Sequence, residues 1–231
     1  MDSIPIFIIS YNQYTYVKSM VEQLLPYTKN ITVVDNCSKY PPIVEYLKSI
    51  ENTVRVLYMD KNYGHRVLYR PEMQPILGDK FILTDPDLTL NTNMPANFIE
   101  VLNNISEKYK VGRIGLALDI SGDDIRTDIR FSGRTIKEVQ AEFWDNKIID
   151  DTYELYSAFT DTTFSFINRK YMIREYEGFR IAGNFTCRHR PFYIGWENEL
   201  LDGELEFYLK DNVSTSLVPT AHNPTVSILK I

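Results

Sequence analysis

The chain has 231 residues, 44% of them apolar and 24% charged, ordinary values for a soluble globule with a packed core. Its formal net charge of -6 argues against broad binding to nucleic acid, which needs a basic face. No apolar run approaches the ~18 residues that a membrane-spanning helix requires. The two cysteines, Cys37 and Cys187, suggest neither a disulfide scaffold nor a Cys-based metal site.

The opening run Ile4-Pro5-Ile6-Phe7-Ile8-Ile9 reads as a buried parallel strand. It lacks the basic leader and small-residue cleavage site of a secretory signal, so the expected setting is the reducing cytoplasm. The Asn-x-Ser/Thr sequons at Asn30, Asn36, Asn104, Asn184 and Asn212 are then incidental. Ser10-Tyr11-Asn12-Gln13 follows as a polar loop. Apolar residues at 17, 20, 21, 24 and 25 predict a helix that Pro26 ends. A second strand, Ile31 to Val34, stops at Asp35-Asn36. Pro42 opens a helix carrying Ile43, Val44, Tyr46, Leu47 and Ile50. Val54 to Met59 is a third strand, and Asn62-Tyr63-Gly64-His65-Arg66 is the next loop. A fourth strand, Phe81 to Thr84, runs into Asp85-Pro86-Asp87. Asn93 and Pro95 have the types expected at a helix cap and first turn. Ile114 to Leu118 is a fifth strand. Residues 119–195 mix short strand-like pieces with polar loops, and Gly195 to Leu209 reads as a short helix or turn followed by a strand. Such strand-helix repetition predicts an α/β fold with a mostly parallel sheet and right-handed crossovers.

Asp85-Pro86-Asp87 is the most informative feature. Strand alternation sends both carboxylates to one side, at the sheet edge where open α/β folds bind ligands. Paired oxygens there suit a hard cation such as Mg²⁺ or Mn²⁺, which can neutralise charge on a leaving phosphate. Asp35, also at a strand end, could accept a hydrogen bond from a nucleobase or ribose, or cap the helix that follows. Gly64 lets backbone approach a ligand or turn tightly. Arg66 could grip a phosphate or sit in solvent.

In this order, Ser10-Tyr11-Asn12, Val33-Val34-Asp35, Asn62-Tyr63-Gly64 and Asp85-Pro86-Asp87 resemble the glycosyltransferase-A (GT-A) fold, and most closely the family 2-like, inverting nucleotide-sugar transferases. The resemblance covers nearly the whole chain. It implies a single domain over 1–231, with 1–90 as the nucleotide-sugar half and 91–231 as the acceptor-side half. It implies Mn²⁺ or Mg²⁺ held by Asp85, Asp87 and the late His222. Ser10, Tyr11, Asn12, Asp35, Asn62, Gly64, Arg66 and Asp85 would contact the donor, a UDP-sugar first, with GDP- and dTDP-sugars as alternatives. The acceptor would be a glycan or other hydroxyl. Gly195-Trp196-Glu197-Asn198-Glu199 resembles the family's base-bearing turn, with Glu197 favoured over Glu199 as the group that takes the acceptor's proton. The family often has Glu-Asp at this point, and this chain has Glu-Asn-Glu. Should neither glutamate serve, Asp119 or Asp161 is the fallback. Arg188-His189-Arg190 is a basic cluster that could close over the diphosphate or sit as a solvated loop.

Three other readings compete. Asp85-Pro86-Asp87-Leu88-Thr89 fits a haloacid-dehalogenase-type phosphatase motif, with Gly122-Asp123-Asp124 mimicking its late acidic piece; against it, three strand-helix units precede the motif. A nucleotidyltransferase would want a Gly-rich basic loop after the first strand, which Ser10-Tyr11-Asn12-Gln13 does not provide. A non-catalytic nucleotide-sugar-binding module would keep the fold without the base.

Overall fold

The continuous apolar runs of the N-terminal half form parallel strands, buried on both faces except at the sheet edge. A computed structural model describes residues 4–210, 212 and 226–228. In it β1 (Ile6–Ser10), β2 (Ile31–Asp35), β3 (Arg55–Tyr58) and β4 (Lys80–Thr84) lie parallel in the order β3-β2-β1-β4. Along β1, Ile6 and Ile8 join one core cluster and Phe7 and Ile9 the other, as the period of two requires. The first cluster takes up Val17, Met20 and Leu24 of α1 (Tyr14–Leu24), Ile43 and Leu47 of α2 (Pro41–Ile50), and Phe98 and Leu102 of α4 (Phe98–Tyr109). The second is covered by Val67 and Leu68 of a 3₁₀ turn at Gly64–Tyr69, by Met73, and by Leu77 of the short α3 (Gln74–Leu77). Two-sided cover explains why these strands do not alternate apolar with polar.

Beyond β4 the sheet becomes mixed. β5 (Leu88–Leu90) leaves it, and β6 (Arg113–Leu116) returns to it. β7 (Ile129–Phe131) and β8 (Arg134–Thr135) form a hairpin that leads into α5 (Ile136–Ala141), whose Thr135 and Glu138 make a capping box. β9 (Lys147–Ile148), β10 (Leu155–Phe159), β11 (Ser165–Asn168) and β12 (Glu177–Ile181) complete a nine-stranded order β3-β2-β1-β4-β11-β6-β12-β10-β9. β11 is antiparallel to both β4 and β6, and β12 is parallel to β6. β13 (Cys187–His189) pairs antiparallel with β5. α6 (Glu204–Leu209) and β14 (Val226–Ile228), which pairs with β7, follow.

Two expected elements differ. Asn93 and Pro95 do not start a helix: Asn91 Oδ1 accepts from Asn93 N at 2.9 Å and turns the chain first, so α4 begins at Phe98. Residues 195–209 hold no strand. Trp196–Glu199 is a 3₁₀ turn, Gly203 at φ 77° resets the backbone, and α6 packs Leu205 and Tyr208 with Trp196 and Tyr16. No helix among the described residues is long and apolar enough to cross a membrane.

Candidate active site

The carboxyl ends of β1, β2 and β4 open into a cleft of about 400 Å³, a volume suited to a small-molecule ligand. One wall is made by Tyr11, Gln13, Asn36, Asn62, Gly64 and His65. The 62–64 turn is held by its own polar groups. Asn62 Oδ1 accepts from Gly64 N at 2.8 Å, and Asn36 Nδ2 donates to Gly64 O at 3.2 Å. Gly64 sits at φ 66°, a conformation that glycine adopts without strain. Burial, reinforced by Arg66, lowers the pKa of His65.

Ser10, Asn12 and Asp35 lie behind this wall, buried, and do not line the cleft. Asn12 Oδ1 accepts from Lys39 N at 2.6 Å and Tyr40 N at 3.0 Å, and its Nδ2 donates to Phe207 O at 2.9 Å. Asp35 accepts from Ser38 N at 3.1 Å and from Ser38 Oγ at 2.5 Å. Burial raises the Asp35 pKa, with Ser38 opposing. The carboxylate closes the 35–38 turn; it does not cap α2, whose N-cap residue is Tyr40. Arg66 is also outside the lining, paired with Glu175 at 2.9 Å.

The floor is Asp85-Pro86-Asp87 with His189. Pairing of β5 with β13 sets His189 opposite Leu88, next to Asp87. His189 Nε2 then lies 3.2 Å from Asp87 Oδ1, an ion-pair distance. The angle does not make it a hydrogen bond, so Asp87 Oδ1 and His189 Nδ1 remain buried polar atoms without a hydrogen-bond partner. Burial pushes the Asp85 pKa up, and the negative charges of Asp87 and Asp161 push it further. Burial would lower the His189 pKa; the charges of Asp87, Asp85 and Asp161 outweigh it, and the net shift is upward.

The far wall comes from the β10–β11 loop. Asp161 and Thr162 line the cleft, and Thr162 Oγ1 donates to Asp85 Oδ2 at 3.1 Å. Arg113, fully buried, holds this loop by donating from Nη1 to Thr160 O at 3.0 Å and Asp161 O at 2.9 Å, while Nη2 donates to Tyr69 Oη. That approach needs glycine at 178: a Cβ there would lie 2.7 Å from both the Cβ and the backbone oxygen of Arg113.

Glu197 and Glu199 are exposed on their 3₁₀ turn, outside the cleft lining. Glu199 Oε2 accepts from Arg190 Nε at 3.0 Å, and Arg188 pairs with Asp124 at 2.5 Å. Of the basic cluster, His189 alone reaches the cleft. Its signal was the period of two along a short strand, which points 189 away from 188 and 190. Asp161 carries the same signal as Asp85, an acid just past a strand end. His222 lies outside the described residues.

Residues 6–177 match the model of Glycosyl transferase family 2. The chain belongs to that family. The match and the sheet together make it a glycosyltransferase domain with the GT-A fold. The comparison with curated proteins finds no match. Among solved structures, the chain is similar to S. aureus TarS 1–349, at 11% identity and TM-score 0.47, covering 72% of this chain and 47% of that one. The same protein in complex with UDP gives 11% identity and 0.46 over the same shares. 4-Diphosphocytidyl-2C-methyl-D-erythritol synthase from Anaerococcus prevotii DSM 20548 gives 13% identity and 0.34, covering 73% and 72%. The chain spans about half the length of the TarS fragment it matches.

Family 2 membership displaces the phosphatase reading, and Asp124 of its late acidic piece is paired with Arg188 and lies outside the cleft lining. Among the described residues no group of three or more His, Cys, Asp or Glu is arranged to hold an ion. A divalent ion bound with a nucleotide needs less, since one or two carboxylates and the substrate's phosphates complete its shell. Asp85 and Asp87 meet that requirement, and the buried Asp87 Oδ1, beside His189 but in no hydrogen bond, keeps its lone pairs for a cation.

Proposed function

We propose that this family 2 domain transfers a sugar from a nucleoside diphosphate donor to an acceptor hydroxyl, with inversion at the anomeric carbon. The observation that carries the reading is the convergence of Asp85, Asp87, His189 and Asp161 on one cleft at the carboxyl edge of β1 and β4. The nucleoside lies along the wall of Asn36, Asn62, Gly64 and Tyr11, which the internal hydrogen bonds of the 62–64 turn hold in place. Asp85 and Asp87 hold Mn²⁺ or Mg²⁺, which supplies positive charge to the departing diphosphate. His189, beside Asp87 on the floor of the cleft, can donate a hydrogen bond to the departing diphosphate. Asp161 takes the acceptor's proton as the new oxygen–carbon bond forms and the carbon–oxygen bond to the diphosphate breaks. Ser10, Asn12 and Asp35 act one layer back by fixing the loops that carry the nucleoside wall. UDP is the first donor to try, then GDP and dTDP. The two free cysteines fit a reducing, cytoplasmic setting.

The test is a panel of UDP-, GDP- and dTDP-sugars, with and without Mn²⁺ or Mg²⁺, read as nucleoside diphosphate release and as the anomer of any product by NMR. Metal-dependent release from one donor is expected. Binding of a nucleotide-sugar without turnover under any acceptor would leave a binding module, and no binding at all would overturn the reading.

A further inference from the structure

We infer that Arg180 is a positioning residue for the proton acceptor: with Arg113 it brackets the β10–β11 loop from behind and aims the Asp161 carboxylate into the cleft. The inference rests on the transferase reading above and adds to it a residue that touches no substrate. β12 pairs with β6 so that Arg180 stands opposite Gly115, and the period of two puts Arg113 and Gly178 on the same face. The two glycines leave room for the loop. A Cβ at Gly115 would lie 2.5 Å from Thr160 Cγ2, and one at Gly178 would lie 3.1 Å from Thr160 Oγ1. From this face the two arginines reach three successive carbonyls. Arg180 Nε donates to Phe159 O at 2.9 Å, and Arg113 Nη1 donates to Thr160 O and Asp161 O. The backbone is thus held at each of the three residues that lead to the Asp161 side chain. Arg180 Nη2 also lies 3.9 Å from Asp161 Oδ1, and that carboxylate is 43% exposed, on the cleft lining.

Stability does not account for this arrangement. Arg180 is buried, and taking a guanidinium out of water is costly. Arg180 Nη1 and Arg113 Nε, both buried, find no hydrogen-bond partner among the described residues. Burial lowers the Arg180 pKa, and the Asp161 charge opposes it. A buried cation left partly unsatisfied points to a constraint other than folding. What the guanidinium provides is direction. The negative charge of Asp161 acts on Asp85 across the cleft, and Arg180 supplies the opposite charge behind the Asp161 carboxylate. A misplacement of about 1 Å can lower a rate by ~10²-fold, so this bracing bears on turnover more than on binding.

Arg180→Met, Asp161→Asn and the double variant, each made in the full chain, test this. The Asp161 carboxylate is open to solvent, so Arg180→Met leaves no buried charge unpaired and should melt close to the wild type. With the donor that the panel identifies, its kcat should fall roughly 10–10²-fold. The acceptor KM and the nucleoside diphosphate affinity should hold within roughly twofold. In Asp161→Asn the same substitution should change kcat little, because the group it orients is gone; a merely structural role would multiply the two losses. Arg180→Lys, which keeps a charge behind the loop, should recover part of kcat, and it carries the same cycle should Arg180→Met unfold. Amide exchange of the unliganded Arg180→Met chain should quicken at residues 160–164 and not across the sheet. An unchanged kcat, losses that multiply, or exchange that quickens everywhere overturns the inference. No turnover of any donor by the wild type overturns the transferase reading and this inference together. Losses that multiply in an active enzyme overturn this inference alone.

Discussion

Two edges of the same cleft treat their polar residues in opposite ways. On the β1–β2 side, Asn12, Asp35, Asn36 and Asn62 spend their side chains on the protein's own backbone and hydroxyls. They build a wall. On the β4 side, burial and the charges of Asp87 and Asp161 raise the cost of ionising Asp85, and Asp87 Oδ1 has no hydrogen-bond partner. Crowded, poorly satisfied carboxylates are unfavourable to an empty fold. Their partner is expected from outside, a cation and what it carries. The lesson is that a polar motif at a strand end is a scaffold where its hydrogen bonds close locally and a reaction centre where they do not.

The sharpest way to break this comparison is Asp87→Ala. Metal-dependent donor binding should vanish, and turnover should fall by roughly 10³-fold or more, since a metal ion contributes several kcal/mol to stabilising charge in the transition state. Calorimetry with Mn²⁺ and the hydrolysed donor reads it directly. Affinity equal to wild type would move the reaction centre away from this edge.

How much of this was legible in the sequence follows the same division. The alternation of β1, α1, β2, α2, β3 and β4 was readable because β1, β2 and β4 are buried on both faces and each helix on one, which leaves clear periodicities. Asp85-Pro86-Asp87 was readable because chain direction puts strand ends at the ligand edge. Asp35 and Asn12 were found as well, yet whether they face a ligand or Ser38 and Tyr40 is decided by rotamers and neighbours. His189 entered only within a basic cluster of uncertain role, because a pairing of β13 with β5 across a long sequence separation brings it to Asp87. The mixed half of the sheet was opaque for a related reason. β11 enters antiparallel between β4 and β6, and its short strands carry no helix-strand rhythm.

The next expected effect falls on the base. Asp161→Asn keeps the size of the side chain and removes the proton acceptor, so turnover should drop by roughly 10²–10⁴-fold with nucleoside diphosphate affinity nearly kept. Glu197→Gln and Glu199→Gln, exposed and outside the cleft lining, should do much less. Steady-state kinetics on the three variants ranks them. A dead Glu197→Gln beside an active Asp161→Asn would give the base to the Gly195–Glu199 turn and leave Asp161 a loop residue.

Asp35 sharpens the scaffold side through pH. Its pKa is raised in the fold above 3.8, so the fold favours the protonated form. Its contribution to stability is therefore fully present below the unfolded pKa and is lost as pH rises through the folded one. Asp35→Asn cannot titrate. Urea denaturation of both proteins from about pH 3.5 to pH 7 should show the wild type losing ground to the variant as pH rises. Nucleoside diphosphate affinity should change less than roughly threefold, because the carboxylate serves Ser38. A tenfold loss would put Asp35 in contact with the nucleoside.

The smallest effect belongs to Arg66, the residue for which sequence left phosphate and solvent equally open. Its guanidinium is 54% exposed and paired with Glu175, and such pairs contribute ~0.2–1 kcal/mol. Arg66→Ala should therefore shift the urea midpoint slightly and leave nucleoside diphosphate affinity within roughly twofold. The informative failure is on the ligand side. Arg66 follows His65, which lines the cleft, and a diphosphate is a stronger partner for a guanidinium than one exposed carboxylate, through paired N–H···O bonds. If Arg66→Ala weakens the nucleotide tenfold while Glu175→Gln tightens it, the Arg66–Glu175 pair opens on binding. The wall on the β1–β2 side would then be more than scaffold, with one of its charges held in reserve by an acidic neighbour until the donor arrives.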